Sequence, residues 1–416
     1  MHDPRPSDPG PGVQVPPAAT ATTPDGARLT AGRHRRRKRW LVVAPLLGVL
    51  LWGVGSYATW MLQPTSMSFV ARSVEWVRGD VPLGNQIVDT AEHVYYGWNA
   101  PKKGGPTLAI LPTVGLARPS SGHVGSGPSR SRASSWPLPI APVYATPLAG
   151  EGVWSSTGSP VNGGPPVLVT TYRPELDYPR LVAYIGWFDH ARTAIGYYPG
   201  RYEPPTAAVR GPMMVPHDQR SRLLATFNGG FTYVDGHNGS SDNGLVNEPL
   251  QRGNATLVGY RDGRLDILDW NGGANAAGDV AWSRQSLAPI VWDSVVNPAL
   301  NTDPNSPKWG YTLGGVTRVW RTGVGIDRWG NLLYVAAPDQ TVISLAKILQ
   351  HIGAVRAMEF DINPEWHTFL TYRDGLHPTH VEPNHLQSSN RYLVPDDRDF
   401  FTVYARLAGP ISVPFG

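Results

Sequence analysis

One stretch constrains this chain more than any other. Trp40 to Leu62, WLVVAPLLGVLLWGVGSYATWML, runs 23 residues without a charge. At about 1.5 Å per residue it makes roughly 34 Å of helix, enough to cross a bilayer core of about 30 Å. Pro45 lies near its start, where a helix tolerates proline best. Trp40, Tyr57 and Trp60 lie towards its two ends, as interfacial aromatics do. Arg33, Arg35, Arg36, Arg37, Lys38 and Arg39 precede it, so the positive-inside rule puts the N-terminus in the cytoplasm and the C-terminal part outside. The expectation is a single-pass cell-membrane protein with a signal-anchor at 40–62. A cleaved signal peptide fits less well, because the run is long for one and no small-x-small site follows it.

The same basic cluster explains the charge. The chain carries 36 basic and 32 acidic residues and a pI near 9.2. Eight of the basic and three of the acidic residues lie in 1–39, so that segment is +5 and the rest, with 28 basic and 29 acidic, is −1. The part outside the membrane is not basic, and no nucleic-acid partner is expected. There is no cysteine among the 416 residues, which excludes disulfides, thiol nucleophiles and Cys-ligated metals.

Residues 1–39 read as a disordered basic cytoplasmic tail, rich in Pro, Ala, Thr and Gly in its first 32 residues. Residues 63–99 read as a helical stalk or hairpin, with Phe69, Val70, Val74 and Val77, then Ile87, Val88, Ala91, Val94 and Tyr95, at helical spacing. Residues 100–165 are dominated by Pro, Gly and Ser and read as a linker or surface wrap, which Trp136 and Trp154 could staple down. A folded domain is expected at 166–408. Strands are expected at 166–172, 180–188, 222–227, 319–327, 331–337, 355–362, 367–373 and 400–407, and a hairpin at 255–268 turning on Asp262-Gly263. One helix is clear, capped by Asp339 or Thr341, with Val342, Leu345, Ala346, Leu349 and Ile352 on one face and Gly353 as its stop. Many strands and few helices predict an α+β fold built on mixed β-sheet.

Four places could carry chemistry. In ATFNGGF, Asn228 ends a strand and Gly229 and Gly230 let a backbone approach closely; the segment also reads as an ordinary Asn-Gly turn. Arg321 sits in a strand of small and apolar residues, where its planar fork suits a phosphate or a structural ion pair. In AMEFDINPEW, Glu359 and Asp361 are two apart on a strand and share a face, while Met358 and Phe360 take the other. Glu365 and Trp366 come next, giving three carboxylates and an indole that fit a glycan site. The fourth place is a late run of histidines, His367, His377, His380 and His385, which has no defined metal spacing, and the Asp/Asn-rich loop 234–244 lacks the EF-hand pattern. No metal and no cofactor is expected. P-loop, GxSxG and GxGxxG motifs are absent.

Taken in order, ATFNGGF, AWSRQSLAPIVWD, RTGVGIDRWGNLLYVAA and TVISLAKILQHIGAVRAMEFD resemble the phosphodiester glycosidase family over roughly residues 215–407. EGVWSSTG and TTYRPELDYPRLVAYIGWFD look similar to a membrane-anchored actinobacterial branch of it. The resemblance matches Asn228, Gly229 and Gly230 to the family's first motif, Arg321 and Gly325 to its second, and Asp361 to the aspartate of its third. The family's Asp-Gly-Gly is here Asp361-Ile362-Asn363, followed by Pro364-Glu365-Trp366.

The resemblance implies a hydrolase that takes a sugar off a sugar-1-phosphodiester in an envelope or exopolysaccharide glycan. Asp361 would be the carboxylate, Glu359 or Glu365 its partner, Arg321 the phosphate ligand and Asn228 the group that orients sugar or water. Gly229, Gly230, Gly325 and Trp366 would bind substrate. The alternative is a non-catalytic glycan-binding envelope protein on the same fold, which the Trp content and the altered glycine turn also suit. The partners expected are a glycan or sugar phosphate and, through residues 40–62, the membrane.

Overall fold

The computed structural model describes residues 28–112, 136–207, 210–312, 315–383 and 386–406, with backbone alone for 28–42. Residues 1–27 of the expected tail, 113–135 of the expected linker and His385 lie outside these. The chain forms two compact units, Met1–Thr59 and Trp60–Gly416. The first is described from Arg28 onwards and is helical there, in the helix Arg28–Leu62. Its stretch Val43–Leu62, with a mean hydropathy of 1.3, is long and apolar enough to cross a membrane.

The second unit bears out the α+β expectation with three sheets and few helices. Every strand pairing among the described residues is antiparallel, so mixed sheet is not what forms. The largest sheet has eight strands. Its centre runs Val167–Tyr172, Ala183–Phe188, Leu332–Gln340, Val319–Asp327 and Ala354–Glu359. A five-stranded sheet centres on Leu223–Asn228, flanked by Phe369–Arg373 and Phe400–Ala405. The other five-stranded sheet contains the expected hairpin, Ala255–Tyr260 with Leu265–Asp269, and Gly263 turns it at a φ of 84°.

Alternation along the strands builds two cores, one on each face of the large sheet. Val324, Ile326, Tyr334, Met358 and Phe360 face the smaller sheets, where they meet Phe227, Phe369, Phe401, Leu257 and Trp282. Phe227 stacks on Phe401 at 5.4 Å and on Phe188 at 5.7 Å. Leu333, Val335 and Ala357 face the other way, against Leu345, Ala346 and Leu349 of the helix Val342–His351. Thr341, not Asp339, caps that helix: its side chain accepts from Ser344 N–H, and the Ser344 hydroxyl closes the capping box. Trp154 does staple the wrap, buried with its Nε1 on Leu138 O at 2.9 Å, whereas Trp136 stays 44% exposed.

The segment expected to be a stalk forms two helices, Phe69–Asp80 and Gly84–Asn99. On the second, Ile87, Ala91, Val94 and Trp98 lie on one face at spacings of four, three and four, and all four are exposed. Val88 and Glu92 of the same helix turn inward, Glu92 to an ion pair with Arg78 at 2.7 Å. The polar residues Gln86, Asp89, Thr90 and His93 are exposed as well, so the apolar stripe is one part of the outer surface of this helix.

Candidate active site

The strand Ala354–Glu359 ends where the sequence predicts it to continue, and that ending separates the two acidic residues. Glu359 is still on the ladder and points towards the helix layer. It is buried, and Arg321 Nη1 donates to its Oε1 at 2.5 Å while Arg321 Nε donates to Gln340 O at 2.8 Å. Arg321 lines a cavity of only about 10 Å³ beside Thr341 and Val342. Its charge is matched by protein, so the expected phosphate contact is replaced by a structural ion pair. Burial, partly offset by Arg321, raises the Glu359 carboxyl above its ordinary range.

Asp361 lies beyond the strand and lines a different cavity, of about 140 Å³, with Phe231, Thr232, Asp235, Tyr311, Ile362, Asn363 and Arg398. Its Oδ1 accepts from Asn363 N–H at 2.7 Å. Burial pushes its carboxyl up to about 6, against the pull of the Arg398 charge. It therefore stays ionised at neutral pH.

Asn228 is tied to this point from behind. Its Nδ2 donates to Thr322 Oγ1 at 3.0 Å and to Gly229 O at 2.7 Å. Its Oδ1 accepts from Tyr334 OH at 2.6 Å and from Thr368 N–H at 3.2 Å. Thr322 Oγ1 in turn donates to Asp361 O and accepts from Asp361 N–H, both at 3.0 Å. With both donors and its acceptor engaged, Asn228 positions the Asp361 backbone rather than a sugar. The glycines serve packing too. A Cβ on Gly229 would come within 2.5 Å of Asp399 Oδ1, and one on Gly325 within 2.7 Å of Ala354 Cβ. Gly230 faces Ser286 and Phe360.

Glu365 and Trp366 do not line the Asp361 cavity. Glu365 is buried towards the two helices. Burial, reinforced by the charges of Glu75 and Glu92, pushes its carboxyl up to about 8. Trp366 is buried between two arginines, 4.6 Å from Arg398 and 5.3 Å from Arg391. It lines a second cavity, of about 280 Å³, which shares Thr232 and Arg398 with the first. Glu203, held up to about 7 mainly by burial, also lines this second space.

Sequence reasoning passes over Arg398. Its guanidinium lies over Trp366, reaches both cavities, and leaves Nη1 without a hydrogen-bond partner among the described residues. In the run Pro395-Asp396-Asp397-Arg398-Asp399 a lone arginine among aspartates reads as a solvated turn. Asp396 and Asp399 are in fact spoken for by Arg391 and Arg284. Asp235 belongs to the Asp/Asn-rich loop 234–244; its Oδ2 accepts from Thr232 Oγ1 at 2.5 Å. Of the histidines, His367 stacks on Trp320 at 3.9 Å and is held down to about 3 by burial, and His377–His380 form an edge strand.

No family model matches the chain, and no curated protein does. Among solved structures, the zebrafish N-acetylglucosamine-1-phosphodiester alpha-N-acetylglucosaminidase catalytic domain, auto-inhibited by its pro-peptide, is 14% identical with a TM-score of 0.39, covering 61% of this chain and 88% of its own. A hypothetical protein from Synechocystis is 12% identical with a TM-score of 0.35, covering 60% and 64%. A protein of Burkholderia pseudomallei K96243 described as exported is 12% identical with a TM-score of 0.32, covering 55% and 75%. All three likenesses are distant.

Proposed function

We propose that this chain is a membrane-anchored extracytoplasmic hydrolase that releases a sugar from a glycosyl-1-phosphodiester. The observation that supports this best is the pairing in one cavity of an ionisable carboxylate, Asp361, with an arginine, Arg398, whose Nη1 lacks a hydrogen-bond partner among the described residues. The order of motifs along the chain supports it independently.

The chemistry is set by the bond. A phosphomonoester is a good leaving group, with a second pKa near 6, so it needs charge matching more than protonation. Arg398 supplies two parallel N–H donors for that. The sugar side gains oxocarbenium character, which the ionised Asp361 stabilises as nucleophile or as the base that activates water. In the net reaction the C1–O bond breaks, water's hydroxyl joins C1, and its proton ends in solvent or on the phosphomonoester. Asp235, across the same cavity, is the second carboxylate in place of Glu359 and Glu365.

The test is release of sugar and phosphomonoester from aryl and alkyl glycosyl-1-phosphates by the full chain. Loss of turnover in Asp361→Asn and a raised KM in Arg398→Ala are the expected results.

A non-catalytic glycan-binding role has its own observation. Trp136 and Trp329, 44% and 64% exposed, border a cavity of about 370 Å³ with Asp189, His190 and Asn331. Exposed indoles beside polar groups suit a sugar face. Glycan binding without product release, abolished by Trp329→Ala, supports that role instead.

A further inference from the structure

Four features converge beside Asp361. First, its cavity shares Thr232 and Arg398 with a larger groove lined by Trp60, Met67, Val234 and Trp366 and by the carboxylates Glu75, Glu203 and Asp397. Second, Trp60 belongs to the last turn of the apolar stretch Val43–Leu62, so that groove is built in part from the membrane-spanning candidate itself. Third, this turn is fixed to the helix Phe69–Asp80: Trp60 Nε1 donates to Asp80 Oδ2 at 3.2 Å, and Arg72 Nη1 donates to Met61 O at 2.7 Å. Fourth, the helix Gly84–Asn99 exposes Ile87, Ala91, Val94 and Trp98 along one face, with Asp89 and His93 also exposed, and turns Val88 and Glu92 inward. Val234, on the groove floor, is itself 78% exposed.

An exposed apolar stripe beside exposed polar residues suits a helix resting in the interfacial layer of a bilayer. Only residues 63–83 separate that helix from the end of the span. Trp60, at the end of that apolar stretch, lines the groove.

We propose that the substrate is drawn from that membrane: a glycosyl-1-phosphodiester whose alcohol is a lipid, with its phosphate at Arg398, its sugar beside Asp361 and the first carbons of its chain along Trp60, Met67 and Val234. This rests on the hydrolase reading and narrows it to a lipid aglycone. The reaction is the same hydrolysis at C1, and the phosphomonoester product stays on the lipid. A soluble polysaccharide or a glycoprotein would leave Trp60, Met67 and Val234 unused.

The test uses the full chain in phospholipid vesicles and two readouts. The first is photolabelling. A glycosyl-1-phosphoryl hexadecyl probe with a diazirine on its first carbons is irradiated with the Asp361→Asn chain, in which the probe persists, and labelled residues are mapped by mass spectrometry. Label on Trp60, Met67 or Val234 is expected. The second is the turnover ratio of hexadecyl to ethyl phosphodiester in the unaltered chain, in Val234→Glu and in Val234→Leu. Membrane partitioning of the probe is the same for all three, so differences report the groove. At least a tenfold fall in the ratio is expected for Val234→Glu, with Val234→Leu retaining it. Label absent from the groove, or a ratio unmoved by Val234→Glu, overturns the lipid inference while the hydrolase reading stands. Groove label without turnover of either substrate overturns the hydrolase reading and leaves the lipid site.

Discussion

Arg321 Nη1 donates to Glu359 Oε1 at 2.5 Å with both side chains buried, while Asp361, two residues further on, opens into a separate cavity. The break in the strand after Glu359 therefore divides a structural ion pair from the candidate site. Truncating Arg321 leaves a buried carboxylate without its partner, a loss of about 3–5 kcal/mol. Arg321→Ala is expected to lower the urea midpoint sharply. The double variant Arg321→Met, Glu359→Gln should recover most of that loss, which denaturation of the three chains measures.

Arg398 gives the opposite expectation. Its guanidinium makes no ion pair among the described residues, so Arg398→Ala should change the urea midpoint little. The same substitution should raise KM for a glycosyl-1-phosphodiester at least tenfold, and Arg398→Lys should restore part of it. Steady-state kinetics beside a melting curve separates the two effects.

Asp361 has to be ionised to act, and burial holds its carboxyl near 6. Turnover should therefore fall as pH drops through about 6 and level off above it. Tyr311→Phe should leave the position of that limb unchanged. A limb at the ordinary aspartate value, near 4, would mean that another group controls the rate.

Glu365 bears on stability rather than chemistry. Its folded carboxyl is raised to about 8 from an ordinary 4.5. The folded state thus binds a proton more tightly than the unfolded one. The stabilisation is complete below about 4.5 and is lost as pH rises through 8. Glu365→Gln, which keeps the neutral shape, should stabilise the protein at pH 9 on the order of 3 kcal/mol and leave it unchanged at pH 4. Thermal melts across that range measure it.

Asn228 holds Tyr334, Thr368 and Thr322 at once. Asn228→Ala strands these buried groups and should cost about 2–4 kcal/mol. Through Thr322 it should also loosen Asp361, so kcat should fall in the fraction that remains folded. Thr322→Ser, which keeps the hydroxyl, should retain kcat.

The sheet framework was legible because its signals are local. Small and apolar residues marked Val319–Asp327, Asp262-Gly263 marked a hairpin, and Thr341 marked a helix start. The short strands Ser240–Asp242 and Leu245–Glu248 were not legible, because polar residues there are buried by long-range pairing. Alternation placed Glu359 and Asp361 on one face in principle, but it assumes a regular ladder, and the strand ends at Glu359, with Phe360 N–H and Asp361 O both bonded to Thr322. Arg398 carried no local signal. Its isolation from Asp396 and Asp399 depends on Arg391, five residues before Asp396, and on Arg284, which comes from a distant strand. Periodicity likewise marked the helix Gly84–Asn99 but could not tell which of its apolar faces would be turned outward.

The most direct test of the central claim is product analysis on a glycosyl-1-phosphodiester with the full chain, Asp361→Asn and Arg398→Ala side by side. The unaltered chain is expected to release free sugar and phosphomonoester in equal amounts. A drop of about a thousandfold in kcat is expected for Asp361→Asn, and a raised KM for Arg398→Ala. Turnover that survives both substitutions unchanged would contradict the assignment of the site.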